Sequence, residues 1–322
     1  ITYGPIQAVQ IYRIKTGANV SVKSNALYLK DDWRITDKLL IQLGLRSDSF
    51  RNLNGDGISY LKQNNILQPR IGFALDMAGD STRKLYGSFG VYSLPVAANV
   101  AVRAASASLY SRQSWTYSDI DPITGRPTLI APVSGNNDDT MSGDIEYINQ
   151  EKGLAPNPSS VASKNLDPTI QNEFILGYQH QLNTDWTLGA RFTYRDLKKT
   201  IDDMCDLRPF EAWAATNALI FDKSNLPGCF ILNPGYALDV DADVDGDGTL
   251  ESVHLSPTDI GLPKAIRRYV GIELTAEKIL SNKWSTQLSY TWSHNYGNAE
   301  GLVKSDTVSY THLRAHETLR YL

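Results

Sequence analysis

The sequence lacks a long hydrophobic run. Its mean hydropathy is -0.30, and no stretch approaches the ~20 consecutive apolar residues that a membrane-spanning helix needs. It also lacks an excess of basic charge, since the formal net charge is -4 and the isoelectric point is about 5.8. Because no basic block or basic aromatic stripe is present, we expect no nucleic-acid partner.

Signatures of common enzyme classes are also missing. The sequence has no Gly-x-Ser-x-Gly elbow, no His-Glu-x-x-His zinc helix and no phosphate loop. Asp202 and Asp203, with Asp206 close by, could form a catalytic acid pair, but their position near a strand end favours solvated loop charges. We therefore expect a protein that is not an enzyme.

What the sequence does have is a repeated alternation of apolar and polar residues. Four pairs of segments show it, and a very short turn joins the two members of each pair. In the clearest pair, residues 269–278 and 284–294, the alternation persists for a whole strand. Period-two alternation places the two sets of side chains on opposite faces of a strand. The other pairs are 25–34 with 39–48, 69–76 with 84–92, and 173–179 with 186–195.

Long loops separate these pairs at one end only. The turns near 35, 79, 184 and 281 are short, whereas the connections 51–64, 93–167 and 199–264 are long. Segments of about 9–12 residues have the length that a tilted strand needs to cross a bilayer. One apolar face, one polar face, unequal loops and aromatic residues near the segment ends are typical of a transmembrane β-barrel.

These features predict an all-β fold, an antiparallel up-and-down transmembrane β-barrel fragment. We expect an open sheet of about nine strands, with residues 6–14 as the first strand, hairpin neighbours throughout and long extracellular loops. If the apolar side chains filled a closed core, the fold would be a soluble sandwich instead. The side chains expected on one convex, lipid-facing side are Ile41, Leu43, Leu188, Phe192, Ile272, Leu274 and Leu288.

Several runs in these strands have a familiar composition. The most specific is Asn25-Ala-Leu-Tyr-Leu-Lys-Asp-Asp-Trp-Arg-Ile-Thr-Asp-Lys-Leu39, continuing to Leu43-Gly-Leu-Arg-Ser-Asp48. Leu67-Gln-Pro-Arg-Ile-Gly-Phe-Ala74 and Lys84-Leu-Tyr-Gly-Ser-Phe-Gly-Val-Tyr92 match in style. Together they resemble the barrel of TonB-dependent outer-membrane receptors, with the Oar-like branch as the closest likeness. The resemblance covers most of residues 27–298, in the strands far more than in the loops.

The resemblance implies an outer-membrane receptor of a Gram-negative bacterium that imports an unidentified solute. Its partners would be outer-membrane lipid, a plug domain and the periplasmic energy-coupling protein TonB, with an unknown extracellular solute as cargo. The alternative is an outer-membrane adhesion or surface-assembly protein with the same barrel and no active transport. Residues 1–307 are expected to be an internal barrel fragment, and residues 308–322, which resemble translated adapter sequence, a non-native tail.

An acidic run at residues 239–251 is the main candidate for metal binding. Asp243, Asp245, Asp247 and Gly248 match the start of an EF-hand-type loop, in which oxygen ligands alternate before a glycine. The twelfth position is His254 instead of the usual glutamate, so a solvated acidic loop is the alternative. The candidate ligands for Ca²⁺ are Asp241, Asp243, Asp245, Asp247 and Glu251.

The chain has two cysteines, Cys205 and Cys229, and both lie in the predicted extracellular loop 199–264. Outside the cell, an isolated pair in one loop favours a disulfide bond. Two unpaired thiols are the alternative.

Charged residues also occur at the polar positions of the predicted strands. In a barrel these positions face the lumen. In a receptor, their side chains would contact the plug or line the route of the solute, and the alternative is that they only keep the lumen hydrated. The set is Arg46, Arg191, Arg195, Glu273 and Glu277.

Overall fold

The structure is a computed structural model that describes residues 8–133, 142–299 and 301. The expected non-native tail lies outside these residues. In chain order the strands are β1 (Ala8–Lys15), β2 (Ser21–Arg34), β3 (Leu39–Leu53), β4 (Ser59–Asp76), β5 (Arg83–Leu94), β6 (Leu109–Ile120), β7 (Pro127–Pro132), β8 (Glu146–Lys152), β9 (Thr169–Gln181), β10 (Trp186–Lys199), β11 (Asp202–Met204), β12 (Phe230–Leu232), β13 (Leu238–Ala242), β14 (Glu251–Leu255), β15 (Arg267–Ser281) and β16 (Trp284–Gly297).

Eight long antiparallel strands form the main sheet. Their order is β2-β3-β4-β5-β9-β10-β15-β16, so each strand lies beside its nearest sequence neighbours among the eight. All four predicted hairpins are present, as β2–β3, β4–β5, β9–β10 and β15–β16. The sheet is open, because its edge strands β2 and β16 do not pair with each other. The predicted fold class, an open antiparallel barrel sheet, is confirmed.

Two details of the predicted sheet are wrong. The first predicted segment is not part of the main sheet, because β1 pairs with β6 in a separate sheet with β7 and β8; residues 6 and 7 of that segment lie outside the described residues. The main strands are also longer than a bilayer requires, up to 18 residues in β4. Most of the predicted loop 51–64 is therefore strand, with a turn at 54–58.

The strand register aligns the apolar side chains in continuous rows. One row crosses all eight strands through Trp33, Ile41, Phe73, Gly87, Leu176, Phe192, Ile272 and Trp292. The next row, on the opposite face, runs through Asp32, Gln42, Gly72, Ser88, Ile175, Thr193, Gly271 and Ser293. A one-residue slip would exchange the two faces, so the pattern fixes the register.

The apolar face is open to its surroundings. Leu274 is 49% exposed in β15, although that strand pairs with a neighbour on each side. Leu288 is 59% exposed in the edge strand β16. Leu43, Leu188 and Ile272 are exposed as well, whereas Ile41 and Phe192 are half-buried by neighbouring side chains. An apolar face of this extent is rare against water on a monomer, and lipid is the solvent that suits it.

The short turns lie at one end of the sheet and are closed by local contacts. In the turn after β4, the Asp76 carboxylate accepts the backbone N–H groups of Gly79 and Ser81, each at 2.8 Å. In the last hairpin, the Lys278 Nζ lies 4.3 Å from the centre of the Trp284 ring. Trp186 packs edge-on against that ring, with 6.1 Å between centroids. Aromatic residues at a strand end suit a membrane–water interface.

The opposite end of the sheet is covered by two folded insertions. The first insertion, residues 95–168, contains α1 (Val100–Ala104) and strands β6, β7 and β8; the second insertion, residues 200–266, contains α2 (Arg208–Thr216), α3 (Pro257–Ile260) and strands β11 to β14. We call these two insertions together the cap. Among the described residues, no helix has the length and apolar character to cross a membrane.

The cap has a closed hydrophobic core of its own. One buried cluster joins the two insertions to β4 through Tyr60, Val96, Val161 and Ile231. A second cluster lies within the second insertion, where the Phe210 and Phe230 rings stack with 4.2 Å between centroids. The long predicted loops are therefore folded segments with their own interior.

Candidate functional site

The acidic run forms the connection of the β13–β14 hairpin in the cap. Asp243 is 5% exposed. Its carboxylate accepts the backbone N–H groups of Gly246 at 2.7 Å and Gly248 at 2.9 Å, and the side-chain amide of Asn225 at 2.7 Å. Carboxylate oxygens of Asp243, Asp245 and Asp247 all lie within 4.8 Å of one another. The loop thus brings three of the predicted ligands together.

The other two predicted ligands point elsewhere. Asp241 pairs with Lys164 of the first insertion, with 2.6 Å between the Nζ and Oδ1 atoms. Glu251 accepts the backbone N–H of Val244 at 2.9 Å and so closes the base of the loop. The backbone N–H of Thr249 lowers the pKa of Asp247, which keeps that carboxylate ionised. Ca²⁺ binding by the remaining three carboxylates stays a prediction.

A disulfide bond joins Cys205 to Cys229 in the second insertion. Cys205 directly follows β11, and Cys229 directly precedes β12, so the bond lies beside the short antiparallel pair that these strands form. It encloses the segment that contains α2. The two predicted partners are therefore paired in the structure, on the long-loop side of the sheet.

A cavity of about 330 Å³ lies between the two insertions. The first insertion contributes Val100, Leu154 and Pro156 to its wall, and the second contributes Leu226 and Leu250. The polar residues of the wall are Ser106, Ser108, Asn149, Gln150, Glu151, Lys152, Asn157, Asp203, Asn225 and Asp243. A hollow of about 300 Å³ or more, with apolar side chains and several polar groups in its wall, has the size and character of a small-molecule site.

The backbones of the two insertions meet closely at this cavity. A Cβ atom at Gly228 would lie 1.7 Å from the carbonyl oxygen of Asn149, so only glycine permits the contact. Asn149 and Gln150 both have positive φ, at 52° and 57°. Strained backbone of this kind persists only where the surroundings fix it, and it is concentrated at binding and active sites.

Asp203 is the acidic residue in the cavity wall that burial perturbs most. Burial, together with the neighbouring Asp202 carboxylate, raises the pKa of Asp203 from 3.8 to about 6. Its Oδ2 atom lies 3.3 Å from the Cys205 sulfur, which has no hydrogen to donate because it belongs to the disulfide. The structure places Asp203 half-buried in the cavity wall, whereas Asp202 is exposed, as expected for a solvated loop charge.

The polar face of the sheet contains ion pairs between neighbouring strands. Arg191 lies opposite Glu273 and pairs with it. Arg195 lies opposite Glu173, with 2.6 Å between the Nε and Oε2 atoms. Directly opposed charges of unlike sign stabilise a strand pair by roughly 0.2–1 kcal/mol. Several charges of this polar face are therefore already paired within the sheet.

Two more of the predicted lumen charges lie on the same face. Arg46 donates to Asp48 of its own strand at 3.0 Å, and Asp48 also accepts from Gln68 of β4. Glu277 lies at the short-turn end opposite Thr187, and among the described residues it has no ion-pair partner. The structure thus places all five predicted lumen residues at polar positions of the sheet, and four of them in ion pairs.

Comparison with known proteins fits this architecture. Residues 51–318 match the family described as outer membrane beta barrel domain. The chain belongs to this family. It is also 24% identical over 296 residues to the TonB-dependent transporter Oar of Myxococcus xanthus, an alignment that covers 87% of this chain and 24% of that protein. The chain thus spans about a quarter of the length of the curated relative that it matches. The predicted outer-membrane location is confirmed.

Sequence reasoning missed the main feature of this outer-membrane barrel's cap. The cavity forms where the first and second insertions contact each other, and no local sequence pattern predicts such a long-range contact. One usable signal existed for Asp203, because it lies two residues from a cysteine that was expected to form a disulfide.

Proposed function

We propose that this chain is part of the barrel of a TonB-dependent outer-membrane receptor that imports a solute. In this proposal the apolar face contacts outer-membrane lipid, a plug domain occupies the lumen and periplasmic TonB supplies energy. The name of the Myxococcus xanthus relative supports it. The observation that carries it furthest is the row of matched charges on the polar face, typified by Arg191 and Glu273.

Matched charges suit a lumen that is filled by another protein domain. A free lumen needs only hydration, which single polar side chains provide. A plug must be held and also released, and ion pairs within the sheet, such as Arg191 with Glu273, leave fewer lumen charges to bind the plug too tightly. Glu277, which has no ion-pair partner among the described residues, remains available to contact a plug residue at the short-turn end.

The test is depletion of solutes from the medium by the bacterium that carries the gene. We expect deletion of the gene to leave at least one scarce solute in spent medium, as measured by mass spectrometry. Loss of TonB should leave the same solute, because import without energy coupling stops. Complementation with the single change Glu273→Arg should restore less uptake than the exchanged pair Arg191→Glu with Glu273→Arg, which preserves the ion pair.

The alternative class is an adhesion or surface-assembly protein with the same barrel. Under that alternative, deletion of the gene changes surface attachment, and the deletion strain and the TonB-deficient strain deplete the medium differently. A medium that is depleted identically by wild-type and deletion strains would contradict the import proposal. The proposal assigns the protein no catalytic role.

A further inference from the structure

The cavity in the cap is held in shape from both sides. The insertions are linked by backbone hydrogen bonds, Ile231 to Val161 at 2.8 Å and Ser163 to Ile231 at 2.9 Å. The disulfide bond fixes Cys229 of the wall next to Asp203, and Gly228 allows the Asn149 backbone to approach. A cavity whose walls are linked in this way is preformed, so a ligand loses little to reorganisation of the protein.

The charged side chains in the cavity wall differ in the partners that they have. Among the described residues that line it, three have carboxylates and one has an ammonium group. That ammonium, of Lys152, donates to the carbonyl oxygen of Ser224 at 2.7 Å. Asp243 is satisfied by its backbone and amide donors. Asp203 differs, because no cationic side chain of the described residues pairs with it.

Asp203 is half-buried. A partly buried carboxylate without a cationic partner is costly, and a ligand that brings the cation removes that cost. The wall also has an apolar part, formed by Val100, Leu154, Pro156, Leu226 and Leu250. We propose that this cavity binds a small solute with a primary ammonium group on an apolar body, and that Asp203 is its counter-ion. The inference rests on the proposed import function for its biological purpose, since it would be the capture site for the cargo.

The test compares three probes of similar shape and different charge. They are 2-phenylethylammonium, the neutral 2-phenylethanol and the anionic 3-phenylpropionate, each titrated by calorimetry into the whole chain purified in detergent. We expect binding in the order cation, neutral, anion, with about tenfold or more between the cation and the neutral probe. Equal binding of the three probes, or preference for the anion, would overturn the proposal.

Two variants test whether the preference for the cationic probe comes from Asp203. Asp203→Asn keeps the shape and removes the charge, and we expect it to weaken binding of 2-phenylethylammonium by about tenfold or more while binding of 2-phenylethanol is unchanged. Asp56→Asn makes the same chemical change at an exposed turn outside the cavity and should leave all three affinities as they are. Equal loss in both variants would show a general charge effect and contradict the assignment.

The comparison of probes on the unmodified chain stays decisive even if Asp203→Asn were to fold poorly. Binding in detergent requires neither TonB nor a plug, so this inference and the import proposal fail separately. Probe binding without TonB-dependent solute depletion would contradict import alone. Solute depletion with no preference for the cationic probe would contradict the cavity assignment alone.

Discussion

The sheet and the cap of this protein place their hydrophobic side chains in opposite environments. In the sheet, Leu274 and Leu288 stay about half exposed, because lipid rather than protein surrounds them. In the cap, Phe230 and Leu232 are fully buried against protein, as in a water-soluble domain. One chain thus contains two hydrophobic arrangements, and the difference shows which solvent each part is built for.

The largest difference between cap and sheet is expected when a buried cap residue is truncated. Phe230 is fully buried and stacked on Phe210, so Phe230→Ala should destabilise the cap by about 3–5 kcal/mol through lost burial and the cavity that remains. Leu288→Ala on the sheet should cost roughly 1 kcal/mol, because lipid or detergent fills the space. Denaturant unfolding followed by hydrogen exchange of each region measures both. Similar costs at the two sites would break the comparison.

A charge on the lipid-facing side should be as damaging as a cavity in the cap. Leu274→Arg lies near the middle of β15 and should cost about 2–4 kcal/mol in a bilayer. Ser289→Arg lies on the polar face of β16, opposite Thr275, and should cost well under half of that. Folding titrations in lipid vesicles measure the two values. A larger cost for Ser289→Arg would mean that the faces are assigned the wrong way round.

Loss of the disulfide bond should affect the cap alone. With a sequence separation of 24 residues from one cysteine to the other, the chain-entropy model gives about 3 kcal/mol of stabilisation. The double change of Cys205 and Cys229 to Ser should therefore accelerate hydrogen exchange throughout the second insertion. The exchange of β10 and β15 serves as the internal control and should not change. Exchange that rises equally in the main sheet would show that sheet and cap unfold as one unit.

A smaller change in cap stability, a gain instead of a loss, is expected when Asp203 is replaced. Its pKa is about 6 in the folded protein against 3.8 ordinarily, so the folded state binds the proton more tightly. Folding stability therefore falls as the pH rises from about 4 to 6, and the ionised group destabilises the cap above pH 6. Asp203→Asn should raise cap stability by about 1–2 kcal/mol at pH 7.5, with no gain at pH 3.5. Equal gains in stability at the two pH values would show that ionisation of Asp203 is not the cause.

The smallest expected effect is Ca²⁺ binding by the acidic loop. Three carboxylates lie within reach of one ion, and such sites outside the cell bind with dissociation constants on the order of 10⁻⁴–10⁻³ M. Calorimetric titration with Ca²⁺ should give heat for the wild type and none for the triple change of Asp243, Asp245 and Asp247 to Asn. Equal heats from both proteins, or none from either at millimolar Ca²⁺, would leave a solvated acidic loop.

The alternation of apolar and polar residues made the main sheet predictable from sequence. The cap lacks that alternation, so its fold was difficult to predict. Ile272 and its neighbours follow a period of two over whole strands, so the faces and hairpins of the sheet could be predicted from local sequence. β1 resembled another such strand, yet its partner β6 lies about a hundred residues away, inside an insertion. Strand pairing at that distance depends on tertiary contacts that a local pattern does not contain.

The candidate site was predictable only in part, for a similar reason. The spacing of Asp243, Asp245 and Asp247 by alternate positions was enough to bring their carboxylates together. The spacing could not show that Asp241 would pair with Lys164, which belongs to the other insertion. Nor could it show that Asp203 would face a cavity, because the opposite wall comes from residues 149–157.

The central claim is that the apolar face of the sheet contacts lipid, and a scan along β15 tests it most directly. Single cysteines placed at each of residues 270–277, with the native disulfide intact, would be labelled with an environment-sensitive fluorophore in vesicles that contain brominated acyl chains. We expect strong quenching at positions 270, 272, 274 and 276 and weak quenching at the four positions between them. Equal quenching at all eight positions, or quenching confined to the odd ones, would contradict the account.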